Sequence, residues 1–294
     1  MKSIKTLAGL IFGISLLASP TLAATELEIN RETILNEELS DGTVRVIVNY
    51  ELIEDRYDAP LKYQIFYGET LYVDTSEETT TNSAVKLDDI NNDGTNEVII
   101  STYSGGAHCC TTFSVYTWQG DGFAKATTGY LDGGAGRFED LDGNGTQEFS
   151  SFDNAFFYAF GPYVTSFPPL MILSLENGRF VDTTQQFPQE MEGHAWQMYL
   201  AIREWQSQGY GVNNVLASYV AQKILLGEFE EGWEFMLANY DRDSDWGLEI
   251  SNDQGDVIGT YTDFPTALRA FLQDLGYLLP DGSPNPSPSR VAKK

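Results

Sequence analysis

Asp89-Ile90-Asn91-Asn92-Asp93-Gly94-Thr95-Asn96-Glu97 returns, with its chemistry kept, as Asp140-Leu141-Asp142-Gly143-Asn144-Gly145-Thr146-Gln147-Glu148. Each stretch carries oxygen-bearing side chains at its first, third, fifth and ninth positions and a glycine at its sixth. A loop must turn sharply at that glycine to wrap the oxygens round one centre. Alternating carboxylates and amides with a glycine at the bend are the donor set of a hard divalent cation, Ca²⁺ first, which takes about 6 to 8 oxygen ligands in flexible geometry. The last acid arrives at position 9, too early for an EF-hand.

The likeness extends beyond the two loops, with a period of roughly 50 residues of the kind that marks propeller blades and related arrays. After the first loop come Val98-Ile99-Ile100, Thr112 to Trp118, the turn Gln119-Gly120-Asp121-Gly122 and Phe123 to Ala126. After the second come Phe149 to Tyr158, Leu170 to Leu175, the turn Glu176-Asn177-Gly178-Arg179 and Phe180 to Thr183. A partial copy precedes both, in Tyr63 to Tyr67, Gly68-Glu69 and Leu71 to Thr75. Short β-branched and aromatic runs between Gly, Asn and Asp turns are strand and hairpin signals, so residues 24–187 are predicted to be all-β. Each acidic loop runs straight into a strand, where a metal would pin the start of that strand.

Near Pro188 the period changes from two to helical. Met191, Ala195, Met198, Ile202 and Trp205 share one helix face, as do Val212, Val215, Leu216, Tyr219, Val220 and Leu225, and then Phe229, Trp233, Met236 and Leu237. A last helix is predicted over Pro265 to Leu275, with Asp263 as its cap and Gly276 at its stop. Residues 188–279 therefore read as a helical region. The Pro- and Ser-rich stretch 280–294 reads as a disordered tail.

The chain holds 43 acidic against 17 basic residues and a net charge of −26. Nucleic acid is excluded as an expected partner, because phosphate binding needs clustered Lys and Arg. Residues 1–23 have the basic start, short apolar run and Thr21-Leu22-Ala23 cleavage site of a secretory signal. No later stretch is long and apolar enough for a membrane span, so a periplasmic or extracellular location is expected.

The two cysteines, Cys109 and Cys110, are adjacent in Ser104-Gly105-Gly106-Ala107-His108-Cys109-Cys110. A vicinal disulfide, two buried thiols, intermolecular pairing and a soft-metal site with His108 are the alternatives, the last lacking the fourth ligand of a structural zinc site. A further acidic run, Asp241-Arg242-Asp243-Ser244-Asp245-Trp246-Gly247-Leu248-Glu249, repeats the spacing with its glycine one place late. It reads as a third metal loop or as a solvated connection.

At these residues the chain resembles the FG-GAP and VCBS repeat proteins, whose blades, like those of the integrin α-subunit head, carry DxDxDGxxD calcium loops. The resemblance implies two Ca²⁺ ions. One would be held by Asp89, Asn91, Asp93, Glu97 and the Thr95 carbonyl, the other by Asp140, Asp142, Asn144, Glu148 and the Thr146 carbonyl. It spans the β region, which has material for two to three units, too little for a closed seven-bladed ring. The Phe-Gly and Gly-Ala-Pro segments that name the family are not recognisable. The Ser-Gly-Gly-Ala-His-Cys-Cys stretch also looks like one found in exported bacterial proteins with such repeats.

The expected fold is thus mainly β, with propeller-like hairpin or blade repeats followed by a small α region. The expected function is an exported calcium-binding module with a protein or glycan partner and a structural metal. The alternatives are an envelope hydrolase using paired carboxylates and a periplasmic inhibitor or assembly factor. Nucleophilic catalysis has little to build on, since the only histidines are His108 and His194 and no GxSxG elbow accompanies them.

Overall fold

The computed structural model describes residues 25–290, apart from 31–33, 55, 81 and 289. The signal expected over residues 1–23 lies outside the described residues. A short strand, β1 (Glu26–Ile29), precedes an antiparallel meander of β2 (Leu35–Ser40), β3 (Val44–Tyr50), β4 (Ala59–Tyr67) and β5 (Thr70–Thr79). Alternation decides which way these strands face: Val44, Val46 and Val48 of β3 and Leu61, Tyr63 and Ile65 of β4 all enter one core.

A second meander follows, of β6 (Ser83–Asp88), β7 (Glu97–Tyr103), β8 (Cys109–Trp118) and β9 (Phe123–Thr127). β1 extends it alongside β6, and the short β10 (Leu131–Asp132) pairs with the start of β8. The third meander is β11 (Arg137–Glu139), β12 (Glu148–Phe152), β13 (Leu170–Glu176) and β14 (Arg179–Asp182).

The three sheets pack in chain order. Val98 and Ile100 of β7 join the core shared with the first meander, whereas Ile99 joins Phe149, Met171 and Leu173 of the third. The middle sheet is therefore buried on both faces, which is why Val98-Ile99-Ile100 is a continuous apolar run and not an alternating one. The partial first copy is a complete four-stranded meander. It looked partial because Asp41-Gly42-Thr43 joins β2 to β3 as a tight turn, with Asp41 Oδ1 accepting from the Thr43 and Val44 N–H groups, where the other two meanders carry nine-residue acidic loops.

The change of period near Pro188 coincides with the start of α1 (Pro188–Ser207). Two further helices follow, α2 (Asn213–Leu225) and α3 (Phe229–Asn239), then a hairpin of β15 (Glu249–Ser251) and β16 (Val257–Thr260), and α4 (Phe264–Asp274). The helices cover the outer face of the third sheet, sharing a core with its Leu170 and Ile172. α2 is buried along its whole length, and Gln222 on it accepts the Leu170 N–H through Oε1 at 2.9 Å. α4 has its expected cap, with Asp263 Oδ1 accepting the Thr266 N–H at 2.9 Å, and it buries Leu268 and Leu272.

Three expectations are corrected. The helical region contains the β15–β16 hairpin, whose Val257-Ile258 run is exposed and too short to announce itself by periodicity. Leu237, expected on the inner face of α3, is exposed. The stretch expected to be disordered is held as far as Arg290: Asn285 N–H bonds Tyr277 O, and the Arg290 guanidinium is buried in a bidentate pair with Asp182. Composition reports only that such a segment lacks a core of its own, and this one borrows an anchor from the sheet. Residues 291–294 lie outside the described residues. No helix among the described residues is long and apolar enough to cross a membrane.

Candidate metal centres in two equivalent loops

Both acidic loops join the first strand of a meander to the second: residues 89–96 lie between β6 and β7, and residues 140–147 between β11 and β12. They share one set of side-chain-to-backbone bonds. Asp89 accepts the Asp93 and Gly94 N–H groups on its two oxygens, as Asp140 accepts those of Asn144 and Gly145. Asp93 Oδ1 takes the Thr95 N–H at 2.8 Å, as Asn144 Oδ1 takes that of Thr146 at 2.7 Å. The Ile90 N–H bonds Glu97 Oε2 at 3.1 Å, and the Leu141 N–H bonds Glu148 Oε2 at 3.2 Å. Gly94 and Gly145 sit at φ +88° and +90°, a region that an L side chain enters only with strain, so glycine at the sixth position is a backbone requirement.

The two loops differ at their centres. Carboxylate oxygens of Asp140, Asp142 and Glu148 converge to within 4.8 Å of one another, with the Asn144 amide donating to Asp142 Oδ2 at 3.0 Å. In the first loop the Asn91 amide lies between two acids, donating to Asp93 Oδ2 at 3.1 Å and to Glu97 Oε1 at 2.9 Å. The partial positive charge of an amide N–H group thus stands where the donor set calls for a cation. The Oδ1 of the same amide accepts the Asp93 N–H at 2.9 Å. All these donors are hard oxygens, a set that suits Ca²⁺ and offers nothing to soft metals.

Glu97 and Glu148, the ninth residues, are the buried members, 1% and 3% exposed. Burial pushes the Glu97 carboxyl up to about 8, helped by the negative charges of Asp93 and Asp89 and opposed by the Ile90 N–H. Burial also raises Glu148, with Asp142 and Asp140 adding to it. Each of these glutamates begins a strand, β7 or β12, so a ligand held there would act directly on strand position. The loops also touch each other: the Gln147 N–H bonds Ile90 O at 2.7 Å and its amide reaches Asp88 Oδ2 at 3.2 Å, while Ile90 is wholly buried beneath.

The third acidic run does not gather its acids; among the described residues the one convergent group of three is that of the second loop. Asp241 exchanges backbone bonds with the Asn213 amide, Trp246 Nε1 donates to Tyr158 O at 3.0 Å, and Gly247 is wedged against Ala159 O. This run is a connection docked at both ends.

Cys109 and Cys110 are joined as a vicinal disulfide, and no cysteine is left free. Beside them lies a grouping that the sequence did not announce. His108 Nδ1 bonds Asp132 Oδ1 at 2.7 Å, its Nε2 bonds Tyr158 Oη at 3.1 Å, and its ring stacks on Tyr163. Asp132 reaches His108 because β10 pairs with the start of β8, a register that no local pattern reports. The other histidine, His194, is buried in α1 with Nε2 on Pro168 O, between Phe152 and Phe167, and burial pushes its imidazole below the ordinary value.

One comparison with known proteins falls on the helical region. Residues 191–276 match the family model described as the sll0997 C-terminal domain. Over 190 residues the chain is 39% identical to the "Probable thylakoid lumen protein sll0997" of Synechocystis sp. (strain ATCC 27184 / PCC 6803 / Kazusa), covering 62% of this chain and 56% of that protein. Over 196 residues it is 35% identical to the "Uncharacterized protein y4bJ" of Sinorhizobium fredii (strain NBRC 101917 / NGR234), covering 63% of this chain and 30% of that protein. The alignments thus span about half and under a third of these relatives. No solved structure matches the chain. What the comparisons establish is that residues 191–276 are similar to the sll0997 C-terminal domain.

Proposed function

We propose that this chain is an exported, calcium-stabilised binding module, built on FG-GAP-like repeats, whose metal is structural and whose partner is a protein or a glycan. The observation that carries this reading is the shared carboxylate-to-backbone wiring of the two acidic loops at equivalent places in two meanders, each ending in a buried glutamate that starts a strand. A carboxylate withdrawn from water among other acids is costly without a cation, and Ca²⁺ at each loop would convert that repulsion into strand-positioning bonds. The arrangement supports scaffolding over catalysis, because the carboxylates bond backbone N–H groups of their own loops and the buried glutamates start strands. Export is supported by the signal-like residues 1–23 and by the thylakoid-lumen name of one relative.

The test is thermal unfolding of the full chain in Ca²⁺ and in EDTA. One site filled at a hundred times its Kd adds about 2.7 kcal/mol, which for a protein of this size raises Tm by roughly 5 to 10 °C. Asp89→Ala together with Asp140→Ala should remove the shift. Superimposable melting curves of the unaltered chain in the two solutions would refute the metal reading.

A further inference from the structure

A cleft of about 200 Å³ opens where β5 and β7 end and β8 begins, at the end of β7 opposite Glu97. Hydroxyl side chains dominate its lining, among them Thr80, Thr102, Ser104 and Thr112, with Cys110 of the vicinal disulfide beside them. Ser104 Oγ accepts the Cys110 N–H at 2.7 Å and keeps its own proton to donate. Asp58 and Glu78 form a wall, and both bond Arg56 Nη2, at 2.9 and 3.3 Å. Tyr130 lines the mouth at 76% exposure. Tyr57, 63% exposed, lies across Gly105 and donates its hydroxyl to Gly105 O at 2.8 Å. Gly105 is required there, since a Cβ would fall 2.2 Å from the Tyr57 ring.

The geometry points to this cleft as a binding site for a neutral saccharide unit, an inference that rests on the binding-module reading above and names its ligand class. Three features select that class. The chain's net charge of −26 opposes an anion, and Arg56 offsets one of the wall's two carboxylates, while among the described residues no third acid converges with them to hold a cation. Hydroxyls and paired carboxylates are poor lining for an apolar ligand, yet they match the donors and acceptors spread round a pyranose ring. Exposed Tyr130 at the mouth, with Tyr57 beside the cleft on Gly105, supplies the apolar ring surface on which the C–H face of a sugar rests. The volume is below the roughly 300 to 1,000 Å³ of clefts for drug-sized ligands, which suits one ring of a longer glycan. β7 connects the two sites: its first residue is the buried acid of the metal loop and its last, Tyr103, borders the cleft.

The experiment is calorimetric titration of the full chain, in Ca²⁺, with maltotriose, cellotriose and chitotriose. At least one should bind with a Kd of about 1 mM or tighter. Tyr130→Ala should weaken it about ten-fold, the order of one lost aromatic contact, without moving Tm. Trp196→Ala, an exposed aromatic on α1, should leave binding unchanged. Failure of all three sugars to bind, binding that survives Tyr130→Ala, or binding lost in Trp196→Ala would overturn the assignment. The calcium-dependent Tm shift, read on the same sample, separates the two readings: a shift without saccharide binding defeats this inference alone.

Discussion

Replacing Arg290 with Ala should be among the most destabilising single changes available at the chain's end. The guanidinium is 3% exposed and bonds both oxygens of Asp182, which is 7% exposed, at 2.9 and 3.1 Å. It also donates to Leu170 O and Thr184 Oγ1. Removing it leaves a carboxylate buried on the third sheet without a cation, and breaking a buried pair from one side costs about 3 to 5 kcal/mol. At roughly 2 to 4 °C per kcal/mol, Tm should fall by about 6 to 20 °C. The pH dependence has a definite sign. Burial pushes Asp182 up, but Arg290 and the Thr184 hydrogen bonds more than offset it and hold the carboxyl below its usual range. A depressed carboxylate stabilises the fold above its unfolded pKa of about 3.9 and loses that contribution as pH falls through the folded value. The gap between the natural chain and Arg290→Ala should therefore be widest near neutrality and close below about pH 4. The assay is urea unfolding from pH 3 to 7. Asp182→Asn combined with Arg290→Met, which removes both charges, should recover part of the loss. A single-variant cost under about 1 kcal/mol at pH 7, the value of a surface pair, would refute the buried anchor.

Three further outcomes are expected. Asp140→Ala alone should cut the calcium-dependent Tm shift by more than half, because Gln147 ties the second loop to Ile90 and Asp88 beside the first; calorimetric titration of Ca²⁺ would then show weakened binding at the remaining site. Leu268→Ala should cost about 2 to 5 kcal/mol in denaturant unfolding, since Leu268 is wholly buried in the core that joins α4 to α2 and the third sheet. Gly247→Ala should cost at least about 1 to 3 kcal/mol, because φ is +76° and the added carbon would fall 2.2 Å from Ala159 O; unchanged stability there would show that the acidic connection is not docked.

Much of the secondary structure could be read from the chain. Val44 to Tyr50 alternates and is a strand with one buried face; Asp263 and Gly276 bracket α4 as cap and stop. The acidic loops announced their turns, because Asp89 and Asp140 bind backbone groups no more than five residues away and Glu97 and Glu148 bind groups only seven residues back. Other features had no local signal. The first meander lacked an acidic loop and so looked like half a unit. Val257-Ile258 is exposed and gave no periodic trace. Gln222, polar and mid-helix, lay outside the apolar set read on α2, yet its Oε1 satisfies a buried N–H of β13. Asp132 was one acid among 43 until β10 set it against His108.

The sequence by itself determined the alternate-oxygen loops with their glycines, the periods of strand and helix, and the place where one period gives way to the other. These depend on interactions within a turn or two, which a short stretch carries entirely. Only the tertiary structure decided that Val98 and Ile99 face different cores, that the two loops abut, that Arg290 closes on Asp182, and that hydroxyls and tyrosines from four segments meet in one cleft. Those contacts join residues far apart in the chain, whose meeting is set by how buried faces stack and not by anything written in their neighbours.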